Sequence, residues 1–488
     1  MSVSAIVGIA LAFSVAAPAD SLLAPADLRA DLALLREAYT AMHPGLHRYA
    51  TPAEVESRFD AVDVYFSSPR TMGQAFLAFT RLTASIKCGH SYPNFWNQSR
   101  AVQQALFEGQ DKLPFEFRWL DGRMIVTADH SRERQLPRGT EIVAVDGTPA
   151  RTILDSLVPL ARADGSNDAK RVAYLEVQGR DEWFPFDALY PLVFPVRDTL
   201  FTLAVRAPGA AVRSVTVRAL TLAERRTQGD APVDLAPDAP VWSYSEQDGI
   251  GVLRMPTWAI YDSKWDAAKW TDSLMRDIAM RDVPELVIDL RGNEGGVDAG
   301  DRLLARLIDA PVTLPLYRSV VRYRSAPAAL LPALDTWDRS FLDWGNAAVG
   351  PDATGNYRLV RWTADSSTGQ TIRPEGPRYR GRVWVLVGAA NSSATFQFAL
   401  AVKRTGVATL VGQTTGGNRR GINGSAFVFL RLKRTGLEVD LPLVAGLPAG
   451  DEPDAGVEPD VLVRPTLEQL AAGVDAEMAA ITRIIRRR

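Results

Sequence analysis

Beyond residue 240 the sequence alternates short apolar runs with amphipathic stretches, and this alternation constrains the fold more than any other feature of the chain. Strand-like "GIGVLRMP" precedes helical "WDAAKWTDSLMRDIAM", strand-like "ELVIDL", helical "AGDRLLARLI", strand-like "VWVLVGA", helical "ATFQFALAVKR" and strand-like "ATLVG". Strands separated by helices of three- and four-residue period predict an α/β layered core. Residues 320–380 break the pattern. Rich in Trp, Pro, Gly and Asp and without a period, they read as a surface excursion or as a lid.

The first half is built differently. "PADLRADLALLREAYTAM", "TPAEVESRFDAVDVYF" and "TMGQAFLAFTRLTASI" carry helical spacing with Pro or Thr near their starts, which predicts a small helical unit. Afterwards the period changes: "FEFRWLDGRMIVTA" reads as a hairpin turning at Asp121-Gly122, and "RGTEIVAVDGTPA" as a strand turning at Asp146-Gly147. "TILDSLVPLARA" predicts a short helix, residues 165–195 are irregular and aromatic, and "TLFTLAVRA" and "SVTVRAL" are two more strands. Proline and acidic residues fill "TQGDAPVDLAPDAP", a linker. The expected division is 1–19 as a leader, 20–110 helical, 111–225 β-rich, 226–240 as linker and 241–488 as the layered core.

Composition removes several function classes. With 488 residues, 47% of them hydrophobic and 23% charged, the chain can bury two or three cores. A net charge of -2 supplies no general attraction for nucleic acid. Cys88 is the single cysteine, so an internal disulfide, a thiolate zinc cage and a CxxC pair are all impossible. The histidines, His43, His47, His90 and His130, form no HExxH motif, and Pro44-Gly45 breaks the helix that would pair His43 with His47. Residues 5–19, "AIVGIALAFSVAAPA", are apolar and end in an Ala17-Pro18-Ala19 cleavage pattern, which predicts a secretory signal, although no Lys or Arg precedes the run.

Three short segments could carry chemistry. In "VWVLVGAANSSATFQFA", Asn391-Ser392-Ser393 stands where a strand meets a helix N-terminus. Asn and Ser cap helices without any chemistry, yet a hydroxyl on such a turn is also placed as a nucleophile beside free amides. "ELVIDLRGNEGGVDAG" ends a strand in a loop whose Gly295 and Gly296 allow close approach of a ligand to the backbone. It lacks the order of a phosphate-binding loop and suits an oxyanion better. In "IKCGHSYPNF", His90 follows a glycine, and a lone histidine is commonly structural. Cys88 has no base at an evident spacing and reads as a small buried hydrophobe.

"ELVIDLRGNEGG", "NSSATFQFA", "LVGQTTGG" and "GVEPDVLV" occur in the order found in tail-specific serine proteases, the group of the C-terminal processing peptidases and the tricorn protease core, which the chain resembles. "HPGLHRYATPAEVESRFD" and "CGHSYPNF" are similar to that family's helical unit, and "RGTEIVAVDGTPARTILDSL" to its PDZ module. The resemblance implies a multidomain α+β and α/β protein: helical unit, PDZ-like β-rich module and an α/β layered protease core of the ClpP/crotonase-like type. It implies Ser393 as nucleophile, His90 as general base, Glu458 as orienting acid, and amides of Gly295 or Gly296 and of Ala394 as the oxyanion hole. No cofactor is needed for that chemistry.

This chain departs from the family pattern at three places. Glu294 replaces the first of three glycines. Gly89 replaces the serine that bridges histidine to glutamate in the tricorn type, so that Ser91 or a water would have to substitute. Asn418 stands where processing peptidases carry a catalytic lysine, which makes the expected pair Ser and His. The expected function is a periplasmic or secreted serine endopeptidase acting on peptides or unfolded protein tails, without nucleic acid or a membrane span after signal removal, and with oligomer formation left open. The alternative is a non-catalytic peptide- or ligand-binding protein on the same fold.

Overall fold

The structure, a computed structural model, describes residues 21–179, 183–196, 198–228, 238–314, 317–361 and 370–487. The expected leader, 1–19, and most of the expected linker lie outside the described residues.

Three helices, Pro25–Met42, Pro52–Tyr65 and Met72–Ser85, form the N-terminal unit. Thr51 and Thr71 each begin a helix with a reciprocal capping box, to Glu54 and Gln74, which satisfies two otherwise orphaned amides per helix. An antiparallel sheet follows, with strands in the order Phe115–Leu120, Arg123–Asp129, Glu141–Val145, Leu200–Arg206 and Arg213–Arg218. Asp121 and Gly122 both have positive φ, 51° and 78°, as a tight hairpin turn requires. The stretch that reads as irregular, 165–195, instead holds two short helices, Asp168–Tyr174 and Pro185–Val193. Seven to nine residues are too few to display a helical period, so local capping, with Asn167 accepting from the Lys170 amide, is the signal that remains.

The C-terminal core is a six-stranded sheet in the order Val461–Leu462, Thr409–Gly412, Arg382–Val387, Glu285–Asp289, Ile250–Arg254 and Ser243–Gln247, with parallel pairing except at the last strand. Alternate residues of its central strands face opposite layers. Leu286 and Ile288 pack with Met275, Ile278 and Phe396, whereas Val287, Trp384 and Leu386 pack with Ile481 of the helix Ala476–Arg486. The expected layered α/β arrangement is therefore present, with helices on both faces.

A second, antiparallel sheet has no counterpart in the expected division. Its order is Leu334–Asp335, Asn423–Leu432, Leu437–Pro448, Tyr317–Val321, Tyr357–Leu359 and Ala348–Val349. Three short strands inside the supposedly aperiodic 320–380 region, with Tyr317–Val321 at its edge, thus complete a sheet around the long 423–448 hairpin. Strands of two to five residues carry too little alternation to be recognised alone. This sheet shares one apolar core with the helical unit and the 115–218 sheet, joining Leu28, Phe76 and Val126 to Val428 and Leu441. That shared core is what brings residues near position 90 to the C-terminal half.

Candidate active site

Adjacent parallel strands deliver the two principal loops. Glu285–Asp289 leads into residues 290–297, and its neighbour Arg382–Val387 leads into residues 388–393, both at the carboxyl ends of the strands, where open α/β sheets place their ligands. Ser393 opens the helix Ser393–Thr405 with φ of +50°, a left-handed conformation uncommon for a residue with a Cβ. A serine held in a sharp strand-to-helix turn has its hydroxyl presented outward. Ser393 is half-buried and lines the cleft. Ser392 is a different case: its Oγ donates to the Glu294 carbonyl at 3.1 Å, and it makes no side-chain cap on the helix.

Asn391 is the staple of this turn. Its Nδ2 donates to the carbonyls of Leu290 (2.6 Å) and Asn293 (3.0 Å), and its Oδ1 accepts from the Gly388 amide (2.7 Å). Thr395 Oγ1 adds a bond to the Asn293 carbonyl at 2.9 Å. The polar knot therefore locks the Ser393 turn onto the neighbouring loop, with Ser392 in a cross-loop role and not a capping one.

The glycines of the loop are sterically required. A Cβ on Gly295 would lie 2.8 Å from Ser393 Cβ and 2.9 Å from the Ala394 nitrogen, and one on Gly296 would lie 2.1 Å from the Trp258 carbonyl. The Gly295 amide, expected as one possible oxyanion donor, already donates to Asn293 Oδ1 at 2.9 Å. Among the described residues the amides of Gly296 and Ala394 have no protein acceptor, so these two are the donors left for an oxyanion.

His90 reaches the same cleft from the helical unit. Its Nδ1 is buried without a partner, its ring sits 5.8 Å from that of Phe427, and among the described residues no hydrogen bond joins it to Ser393. Burial lowers its pKa below the ordinary histidine value; Asp164 acts against this most strongly, Glu294 acts in the same sense as Asp164, and Arg162 and Lys170 reinforce the lowering. Asp164 Oδ1 accepts from the Gly89 amide at 2.9 Å, and a Cβ at Gly89 would lie 2.8 Å from Asp164 Oδ2. Position 89 is a glycine here because a carboxylate occupies the space of a side chain.

Two expected partners of His90 are not brought to it. Glu458 is exposed, and among the described residues it has no hydrogen bond or ion pair. Its neighbours explain this: Asp460 binds the Leu410 amide at 2.9 Å and Val457 binds Thr415, which fixes the segment along the sheet edge. Ser91 is fully buried and bonded to His43 Nε2 at 3.0 Å, a tautomer set by the Gly45 amide donating to His43 Nδ1. It is consumed in the helical unit. Asn418, in the place of a catalytic lysine, is buried and donates to Asp454 at 2.7 Å. Sequence reasoning missed Arg162, Asp164 and Lys170 altogether; Glu294, an acid among expected glycines, was the one visible hint of them.

The cleft has a volume of about 4050 Å³, against roughly 300–1,000 Å³ for a small-molecule pocket. One wall is aromatic: Trp337, 60% exposed, packs on Phe427 and Phe429, next to His90. Ser425, with φ of 64°, lies in a bulge of the hairpin on the same wall.

Residues 249–463 match the model of peptidase family S41. No curated protein matches the sequence. Among solved structures, mature CPAF complexed with lactacystin is 17% identical with a TM-score of 0.61, over 94% of this chain and 97% of that one. Mature CPAF alone gives 16% and 0.58, over 94% and 96%. The photosystem II D1 C-terminal processing protease is 17% identical over 92% and 98%, with a TM-score of 0.41. At these identities the two CPAF structures speak for the fold, while the family match falls on the segment that carries Ser393 and its amides. Residues 249–463 of this chain thus carry the sequence pattern of peptidase family S41, and the chain is a serine peptidase.

Proposed function

We propose that Ser393 and His90 make this protein an endopeptidase for extended peptides or unfolded protein tails. The observation that carries the assignment is the strained turn at Ser393, with the free amides of Gly296 and Ala394 beside it in a cleft that His90 also lines. Neutral His90 takes the Ser393 proton as Oγ bonds to the substrate carbonyl carbon, and the two amides receive the negative oxygen. The imidazolium then gives its proton to the leaving amine, and water repeats the sequence on the acyl-enzyme. Asp164 and Glu294, not Glu458, supply the negative charge that steadies the imidazolium.

The size of the cleft favours a polypeptide over a small ester. Residues 111–225, an antiparallel sheet with the helix Ala150–Leu157, suit a PDZ-like module that holds a chain end by strand addition. A parallel sheet with helices on both faces and functional loops at its strand ends supports the ClpP/crotonase-like reading of the core. The apolar run 5–19 with its Ala-Pro-Ala motif supports export to the periplasm or the medium, and among the described residues no helix is long and apolar enough to cross a membrane.

A fluorophosphonate probe tests the assignment. Mapping should find the adduct on Ser393 in the wild type and in Ser392→Ala, and none in Ser393→Ala. A folded wild type that remains unlabelled and hydrolyses no peptide would favour the non-catalytic binding reading.

A further inference from the structure

We infer that Arg162, Glu294 and Lys170 form an ionic brace that positions the base, oxyanion and nucleophile segments against one another, with Glu294 at its centre. One Glu294 carboxylate oxygen accepts from Lys170 Nζ at 2.6 Å and the other from Arg162 Nη2 at 2.6 Å. Each cation has a further donor, and each spends it on a catalytic segment. Arg162 Nη1 binds the carbonyl of Gly89, the residue before His90, at 2.6 Å; Lys170 Nζ binds the carbonyl of Ala390, in the turn before Ser393, at 2.9 Å. The backbone of Glu294 itself accepts from Ser392 Oγ. Three segments that are distant in sequence thus meet at one carboxylate.

The arrangement is built, not incidental. Lys170 is 2% exposed, and Arg162 lies over the rings of Tyr92 and Tyr174 at 4.5 and 4.8 Å. Although burial alone would raise it, the two cations hold the Glu294 carboxyl at about 2, so it stays ionised at any working pH. With Asp164 gripping the Gly89 amide while Arg162 grips the Gly89 carbonyl, one buried and one partly buried cation face two anions around the peptide that carries His90. Taking away the Glu294 charge leaves two cations close together and short of a partner. A glycine at 294, the residue of the family pattern, could make neither of the two carboxylate bonds.

The brace rests on the peptidase reading for its kinetic consequences but not for its mechanical ones, and the experiment separates the two. Hydrogen exchange on the full chain should show peptides spanning 88–92 and 388–394 exchanging about tenfold faster in Glu294→Gln than in the wild type, with the helix 25–42 unchanged and Glu294→Asp close to wild type. In peptide hydrolysis Glu294→Gln should lose about 100-fold in kcat with little change in KM, the signature of misplacement without lost binding. His90 is faced by Asp164, Arg162, Glu294 and Lys170. The acid limb of the rate profile should therefore move down in Glu294→Gln and up in Lys170→Met. Wild-type exchange and wild-type kcat in Glu294→Gln would overturn the brace, as would faster exchange spread over the whole chain. If the wild type proves inert to the fluorophosphonate, the peptidase reading fails while the exchange result still decides the brace.

Discussion

The two halves of the proposed active site are held by different physics. The nucleophile half, residues 290–297 and 388–395, hangs from adjacent strands of one sheet and is stitched mainly by neutral hydrogen bonds of Asn293, Asn391 and Thr395, all fully buried, with Lys170 adding a charged bond to Ala390. The base half belongs to another unit, and His90 meets the core through charges: Arg162, Lys170, Glu294 and Asp164. Short neutral bonds fix geometry within a domain and vary little with pH. Charged contacts between domains fix both geometry and the protonation of the base. The first half is a rigid platform, and the second is an adjustable one.

The comparison breaks most visibly at the base. His90→Ala should lower kcat/KM by about 10,000-fold or more, since serine without its base keeps only the contribution of the oxyanion hole. Near-normal turnover would remove His90 from the mechanism. On the rigid side, Asn391→Ala removes the side-chain bonds to Leu290, Asn293 and Gly388 from a fully buried position, and it should cost about 3 kcal/mol in a urea denaturation. A loss well below this would mean that the two loops hold each other without the staple.

Asp164→Asn should give a smaller and diagnostic effect. The amide oxygen can still accept from Gly89, so the fold stays, but the charge that most favours imidazolium is gone. For a base that must be neutral, activity rises with pH through the His90 pKa, already below the ordinary histidine value, and the variant should shift that limb to still lower pH. A limb that stays in place would hand the role to Glu294. Smallest of all, Glu458→Gln should stay within about twofold of wild-type kcat, because surface charges without partners contribute little. A loss as deep as that of Asp164→Asn would reinstate Glu458.

What the sequence makes legible follows the same division. Ser393, its glycine loop and the alternating core are local patterns: a strand, a turn and a helix within a few tens of residues. The charges around His90 are not local. Arg162 ends a segment that reads as a short helix, Asp164 follows it and Lys170 lies in a stretch without visible period, and only folding shows that they meet Glu294 and Gly89. Glu458 illustrates the converse, since its motif is in place while its carboxylate faces solvent. The 423–448 hairpin escaped because its partners are the short strands of the 320–380 region.

The single apolar core that links the helical unit to the hairpin sheet also sets a clock. Synthesis runs from His90 toward Ser393, and the strand Leu437–Pro448 that completes the His90 wall comes later still. A growing chain carries its base for most of its synthesis with nothing to activate, and the nucleophile emerges before the wall that seats the base is finished. The backbone bridge between Tyr92, two residues after His90, and Asp440 can therefore form only after both His90 and Ser393 have been made.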